Sequence, residues 1–364
     1  MTSKADRIPQ PPNRSNLRVL LLADTHLGLD LPLRPQIERR RRGADFLANF
    51  RRALEPALRG EVDLVVHAGD LFDRSRVHPA LVQIALAPLL EVAQTGVPVY
   101  LVPGNHERAR IPLHLWTVHP NLHIFREPAT FVQTVRGLSV ALAGFPHRRD
   151  VRDSLPAQIE QTAARDVQAD VRLLLLHQTV EGAQVGVQNY TFRSGPDVIR
   201  GRDVPGGFAA VLSGHIHRNQ VLRTDLRGRP LATPVFYPGA VERTAFSERS
   251  EAKHYALLEF ASTPDGVGRL VRLTWVPLPT RPMLMLDLQP GTRCADELTR
   301  ELRSRLAALD PDAVVRIAVR GPLSPAALQV YSAAHVRSLA PASMNVELWL
   351  EELRRRPSAR PAPP

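Results

Sequence analysis

The 364-residue sequence has one cysteine, Cys294. That excludes a disulfide framework and any thiolate-based zinc site, and it fits a reducing compartment. Lysine is nearly as scarce: Lys4 and Lys253 are the only two among 47 basic side chains. Nearly all positive charge therefore sits on guanidinium groups, which contact phosphate as planar forks. No apolar stretch approaches the roughly 20 residues needed to span a bilayer. The segment Met1 to Asn16 is polar and proline-containing, without the apolar core of a signal peptide. These absences predict a cytoplasmic protein with no membrane association.

A hydrophobic content of 44% suffices for a sizeable core, and 23% charged residues is ordinary for a soluble chain. The length predicts one large domain and a smaller one. The net charge of +11 fits a polyanionic partner. It also fits a compositional bias that raises Arg together with Ala, Leu and Pro, and composition alone leaves both readings open.

Five stretches share one design, a short apolar run followed by a tight loop carrying a carboxylate, amide or imidazole. Leu20–Ala23 leads to Asp24-Thr25-His26, and Val65–Ala68 to Gly69-Asp70-Leu71-Phe72-Asp73. Val99–Val102 leads to Gly104-Asn105-His106-Glu107, Leu173–Leu176 to His177, and Val211–Ser213 to Gly214-His215-Ile216-His217. Buried strands read as continuous apolar runs, and ligands of α/β sheets bind beyond the carboxyl ends of the strands. Helices are expected over 44–58, 79–94 and 155–164. A hairpin turn is expected at Arg136-Gly137, and a functional loop over 178–207. Pro277–Pro282 reads as a linker. Beyond it, strands at 283–288, 313–319 and 345–348 with helices at 295–309 and after Ser324-Pro325 form a compact α/β unit. The expected organisation is a disordered tail (1–16), a catalytic domain (17–278), a small α/β domain (279–350) and a second disordered tail (351–364).

Asp24, His26, Asp70, Asn105, His177, His215 and His217 make a mixed oxygen and nitrogen set. Such a set suits Mn, Fe or Zn better than Ca. Seven ligands exceed one tetrahedral site and suit two ions, with Asp70 as the bridge because a carboxylate offers two oxygens. The chemistry expected is a two-metal activated hydroxide attacking phosphorus in line. His106 adjoins the ligand Asn105, so it can face the substrate and protonate the leaving oxygen. Asp73 reads either as a surface acid or, preferably, as an acceptor behind a ligand histidine. His67, His78, His114, His119, His123, His147, His254 and His335 lie in no such motif and read as structural.

Together Asp24-x-His26, Gly69-Asp70-x-x-Asp73, Gly104-Asn105-His106-Glu107, His177 and Gly214-His215-Ile216-His217 resemble the calcineurin-like metallophosphoesterase superfamily. Ala68–Arg74 and Tyr237–Phe246 extend the resemblance to its SbcD-like branch, the nuclease subunit of a DNA double-strand-break repair complex. The resemblance implies a four-layer αββα sandwich over about 17–276, followed by a small α/β capping domain. It implies two divalent ions, most simply Mn2+. One would be held by Asp24, His26, Asp70 and His217, the other by Asp70, Asn105, His177 and His215. The implied function is a Mn-dependent DNA exonuclease/endonuclease acting in repair. The alternative is a small-molecule or cyclic-nucleotide phosphodiesterase on the same site, and the complete ligand set argues against a non-catalytic subunit. The implied partners are DNA, an SbcC-like coiled-coil ATPase and a second copy of the chain. Two departures stand out. Asp73 occupies a position where archaeal and eukaryotic relatives carry histidine. Only Glu351–Pro364 follows the cap, where the family's ATPase-gripping helices are expected, so the grip should be weak or unusual. The DNA-contact candidates are Arg74, Arg76, Arg108 and Arg110. Arg39–Arg42 reads either as a phosphate contact or as a solvated helix start.

Overall fold

The first strand, β1 (Leu17–Leu22), is buried on both faces, and its alternation shows where the layers lie. Val19 and Leu21 point into a core between two sheets, while Leu20 and Leu22 point into a core beneath helices. The computed structural model describes residues 16–35, 38–107 and 119–350. The tails expected over 1–16 and 351–364, apart from Asn16, and the residues Arg108, Arg110 and His114 lie outside these.

The chain continues through α1 (Arg42–Leu58), β2 (Leu64–His67), α2 (Pro79–Gln94), β3 (Val99–Leu101) and β4 (Leu122–Ile124). These strands run parallel beside β1. On α1 the buried side chains Phe46, Phe50, Ala53, Leu54 and Ala57 recur at helical spacing. Burying each phenylalanine stabilises by about 1.5–3 kcal/mol. At the start of α2, His78 accepts a hydrogen bond from the Ala80 amide and Pro79 opens the first turn.

A second sheet begins with the hairpin β5 (Ala129–Val135) and β6 (Leu138–Gly144), turned through Arg136-Gly137, both at positive φ. Next come α3 (Val151–Gln161) and β7 (Val171–Leu176). The excursion after His177 holds four two-residue strands, β8 (Thr179–Val180), β9 (Gln184–Val185), β10 (Tyr190–Thr191) and β11 (Val198–Ile199). Then follow β12 (Ala210–Ser213), β13 (Gln220–Thr224) and β14 (Pro230–Tyr237). The chain returns to the first sheet with β15 (Lys253–Ala261) and β16 (Arg269–Leu278).

The first sheet has the order β16-β15-β1-β2-β3-β4 and the second β13-β14-β12-β7-β6-β5. One core lies between α1, α2 and the first sheet, a second between the sheets, and a third on the outer face of the second sheet, where α3 packs. The layers are α, β, β, α, so the four-layer sandwich that the resemblance implies is the observed fold. The expected linker needs correction: Pro277 and Leu278 still pair with His254 and Lys253. β16 is an edge strand, where a proline costs no ladder hydrogen bond.

The remaining chain forms β17 (Met283–Leu288), α4 (Ala295–Ala307), β18 (Val314–Val319), α5 (Pro325–Val330), α6 (Ala333–Leu339) and β19 (Asn345–Leu350). The three strands are parallel and share a core with the three helices. Two arginines of the 39–42 run, Arg39 and Arg40, fasten this unit to the sandwich, while Arg40 and Arg41 are exposed at the start of α1 as a solvated helix start would be. The Arg39 guanidinium donates to the carbonyls of Arg337, Ala340 and Pro341 at 2.6, 3.0 and 2.5 Å. Those carbonyls end α6, where a cation is favoured. Arg40 pairs with Asp45 and Asp312, Arg41 with Asp30, and Arg42 with Glu242. From the other side Arg281 reaches Asp45 at 2.9 Å and Asn345 at 2.6 Å. Among the described residues no helix is long and apolar enough to cross a membrane.

Candidate metal centre

Parallel strands put their carboxyl ends on one rim, and the loops that leave them are laced together. The amides of Asp24, His26 and Leu27 donate to the carbonyls of Gly69, Asp70 and Leu71 at 2.9, 3.0 and 2.9 Å. The loop after β1 is thereby laid along the loop after β2. The His147 amide donates to the Pro103 carbonyl at 2.9 Å, joining the second sheet to the first. Asp24, His26, Asp70 and His215 all have positive φ, at 51°, 42°, 52° and 83°. Non-glycine residues persist in that region only where the surroundings hold them, and such strain gathers at functional sites. Close approach requires glycine at Gly69 and Gly104, among other positions. A Cβ on Gly69 would lie 2.1 Å from His177 Nδ1, and one on Gly104 2.1 Å from Asp70 Oδ1.

The seven residues named from the motifs come together. Asp24, His26 and His217 form one group whose ligand atoms lie within 4.8 Å of one another, and Asp70, His177 and His215 form another. His26 Nε2 and His217 Nε2 face each other at 3.1 Å. Asn105 Oδ1 lies 2.7 Å from His215 Nδ1 and 3.0 Å from His177 Nε2. Asp70 Oδ2 is 3.3 Å from His177 Nε2 and 4.0 Å from His26 Nε2. Its other oxygen, Oδ1, accepts the His106 amide at 2.9 Å. A single oxygen of Asp70 therefore faces both groups, where the sequence reading used two.

Two of these imidazoles, His177 and His217, have their outward nitrogens pinned. His177 Nδ1 donates to the Ala68 carbonyl at 2.7 Å, which leaves the Nε2 lone pair facing the centre when the ring is neutral. His217 Nδ1 donates to Glu248 Oε1 at 3.0 Å. Lys253 Nζ donates to Glu248 at 2.6 Å, to Glu251 at 3.1 Å and to the His217 carbonyl at 3.0 Å. His26 Nδ1 is buried without a hydrogen-bond partner among the described residues. Asp73 Oδ1 stands 3.9 Å from it, too far for a hydrogen bond. The Asp73 carbonyl has a different role, accepting from His106 Nδ1 at 2.6 Å. His106 Nε2 then lies 4.0 Å from Asp70 Oδ2, on a side chain 38% exposed. This donor set fits two divalent ions: two buried carboxylates, an amide oxygen and four imidazoles converge with their ligand atoms turned inward.

The Asp70 and His177 charges support one another, whereas Asp24 and His26 are shifted toward their neutral forms. Burial pushes the Asp70 carboxyl up, but His177, His26 and His106 outweigh it and hold the group well below the carboxylate range. Burial pulls His177 down, yet Asp70 and Asp24 raise it to about 9. Burial raises Asp24, while burial and His217 push His26 well below its ordinary value.

Four residues were not read from the sequence as part of the site. Glu107 is buried, with Oε1 accepting the Phe72 amide and Oε2 the Gly104 amide, both at 2.7 Å. It ties the Gly-Asp loop to the Asn-His loop, and burial and the Asp70 charge push it up to about 8. Its place inside the Gly-Asn-His-Glu motif was the available signal. Glu248 and Lys253 carried no signal beyond the rarity of lysine. His147 follows β6 in the same design as the five stretches, and its ring centroid lies 5.8 Å from His215 and 6.1 Å from His177. Burial and His177 push this imidazole down to about 4. His67 is structural, buried against Thr25 Oγ1 at 3.1 Å. Of the arginines proposed for DNA, Arg74 and Arg76 are exposed on the loop after Asp73.

Comparison with known proteins follows the same lines. Residues 17–219 match the calcineurin-like phosphoesterase family. The DNA double-strand break repair protein Mre11 of Haloferax volcanii is 33% identical over 322 residues, covering 86% of this chain and 64% of that protein. The same-named protein of Methanopyrus kandleri is 25% identical over 307 residues, covering 79% and 62%. An uncharacterised metallophosphoesterase of Bacillus subtilis, YhaO, is 28% identical over 222 residues, covering 57% and 48%. This chain thus spans less than two thirds of the length of each. Among solved structures, a dimetal phosphatase from Danio rerio aligns at 14% identity with a TM-score of 0.37, covering 72% of this chain and 99% of that one.

Proposed function

The chain belongs to the calcineurin-like phosphoesterase family, and from that premise we propose that it is a Mn-dependent nuclease cleaving phosphodiester bonds of DNA. One observation carries the two-ion reading. Asp70 Oδ2 faces the His177 group on one side and His26 on the other, at 3.3 and 4.0 Å. Asp24, His26 and His217 would hold one ion and Asn105, His177 and His215 the other, with Asp70 available to both. When bound, the pair of ions supplies Lewis acidity toward the phosphate and makes water nucleophilic near neutral pH.

The chain's own residues do the rest. His106 keeps its Nδ1 proton on the Asp73 carbonyl at 2.6 Å, so the proton it exchanges with the departing oxygen resides on Nε2, beside Asp70. Such a group contributes about 10²–10⁴-fold. Asp73 is a positioning residue acting through that carbonyl. Arg74, Arg76, Arg108 and Arg110 supply counter-charge to the polynucleotide. Residues 279–350 serve as a capping domain, and an SbcC-like ATPase and a second copy of the chain are the protein partners, tested by co-purification. The DNA reading is supported by the two relatives named for double-strand break repair and by the net charge of +11.

The test is the purified protein with Mn2+, offered linear duplex, single-stranded DNA, a cyclic nucleotide and a simple aryl phosphodiester. Cleavage of DNA is expected. Cleavage of the small substrates alone would overturn the DNA reading in favour of a small-molecule phosphodiesterase.

A further inference from the structure

The loop after β6, which carries His147, has been given no chemical role, yet it is hydrogen-bonded to the loops bearing Asn105 and His177. His147 donates its amide to Pro103 in the Asn-His loop at 2.9 Å. The Arg148 carbonyl accepts from Gln178, the neighbour of His177, at 3.2 Å, and the Arg148 guanidinium donates to Gln158 at 3.2 Å. Asp150, at positive φ, donates its amide to Asp197 at 2.7 Å. So braced, the loop presents a half-buried imidazole at the rim of the His177 and His215 group. Among the described residues neither nitrogen of that ring makes a hydrogen bond to protein. Two residues on, Arg149 is exposed and makes no ion pair among them either.

His106 and His147 flank different groups of the cluster. His106 packs on His26 with ring centroids 4.7 Å apart, and His147 flanks His215 at 5.8 Å. A phosphodiester lying between the two groups must extend past one end or the other. Resting on the function proposed above, we propose that His147 is a substrate-positioning residue. It would hydrogen-bond the phosphate of the nucleotide adjoining the scissile one, on the His177 and His215 side, with Arg149 as the counter-charge beyond it. The class of ligand is a polynucleotide strand with at least two consecutive phosphodiesters. A braced loop is suited to this, because its backbone is already in place when the substrate arrives.

The experiment compares wild type, His147→Ala and His147→Gln, each the full chain loaded with Mn2+. The substrates are a single-stranded oligonucleotide, a dinucleotide with one phosphodiester, and an aryl phosphodiester. A lost hydrogen bond to a charged oxygen is expected to raise KM for the oligonucleotide about tenfold in His147→Ala, with kcat much less affected. The loss on the dinucleotide and the aryl ester, which lack the adjoining phosphate, should be several-fold smaller. Metal content should remain that of wild type, and His147→Gln should regain part of the KM. An unchanged KM for the oligonucleotide would overturn the inference. So would equal losses on all three substrates, or a loss of bound metal, because His147 would then support the cluster itself. If wild-type protein cleaves the aryl ester but no polynucleotide, the nuclease reading falls and this inference falls with it.

Discussion

Glu248 accepts a hydrogen bond from Nδ1 of His217 at 3.0 Å while Lys253 donates to its other oxygen at 2.6 Å. Burial pushes the Glu248 carboxyl up, but the bond from His217 and the Lys253 charge more than offset this and hold it well below its ordinary value of 4.5. A depressed carboxylate contributes stability that is present above the unfolded-state value and lost as pH falls through the folded one. Glu248→Gln should therefore be less stable than wild type at pH 7. The gap should narrow as pH drops below about 4.5, as measured by urea midpoints across the pH range. A gap that widens toward acid would contradict the assignment.

Glu107 gives a separate prediction. Both of its oxygens accept backbone amides, so Glu107→Gln must set an NH2 group against one of them. Stability should fall by about 1–3 kcal/mol, and metal affinity should weaken because Gly104 and Phe72 frame the loops bearing Asn105 and Asp70. Denaturant unfolding and metal titration of the variant would check both.

His106 should behave in the opposite way. Its side chain is outside the two ligand groups assigned to the ions, so His106→Ala should keep both ions while turnover falls by roughly 10²-fold or more. Elemental analysis beside kcat separates the two effects. Loss of an ion from this variant would make His106 a ligand.

The strand ends were legible because buried parallel strands read as uninterrupted apolar runs, and each run stopped at residues able to bind metal. The same rule covers β6, whose run Val140–Ala143 leads through Gly144-Phe145-Pro146 to His147. That histidine passed as structural because no acid or amide accompanies it. Glu248 was not legible. It sits in a short turn 31 residues from His217, and its carboxylate reaches the ring only because β14 and β15 bring that turn to the rim. Arg39 was misread for a similar reason. A run of arginines announces charge, but the carbonyls that satisfy Arg39 belong to residues about 300 positions later, and no local pattern encodes them.

Arg39 and Arg74 can consequently be told apart by salt. Arg39 is committed to three carbonyls at the end of α6, so Arg39→Ala should lower stability by about 1–2 kcal/mol. It should leave the salt dependence of DNA binding near that of wild type. The Arg74 side chain is 81% exposed, with Asp73 as a loose partner at 3.5 Å. Arg74→Glu should weaken DNA binding and reduce the slope of log K against log salt by about 0.9 for each lost phosphate contact. Binding isotherms at several salt concentrations would decide, and an unchanged slope for Arg74→Glu would remove it from the DNA track.

The shared ligand is the centre of the account. Asp70 turns one oxygen toward both groups, so its removal leaves two cations close together without the charge between them. Metal analysis of purified wild type and Asp70→Ala after equilibration with Mn2+, with phosphodiester hydrolysis followed on the same samples, tests this most directly. The account predicts two ions per chain in wild type, and loss of bound metal together with activity in Asp70→Ala. An Asp70→Ala protein that still holds two ions would contradict it.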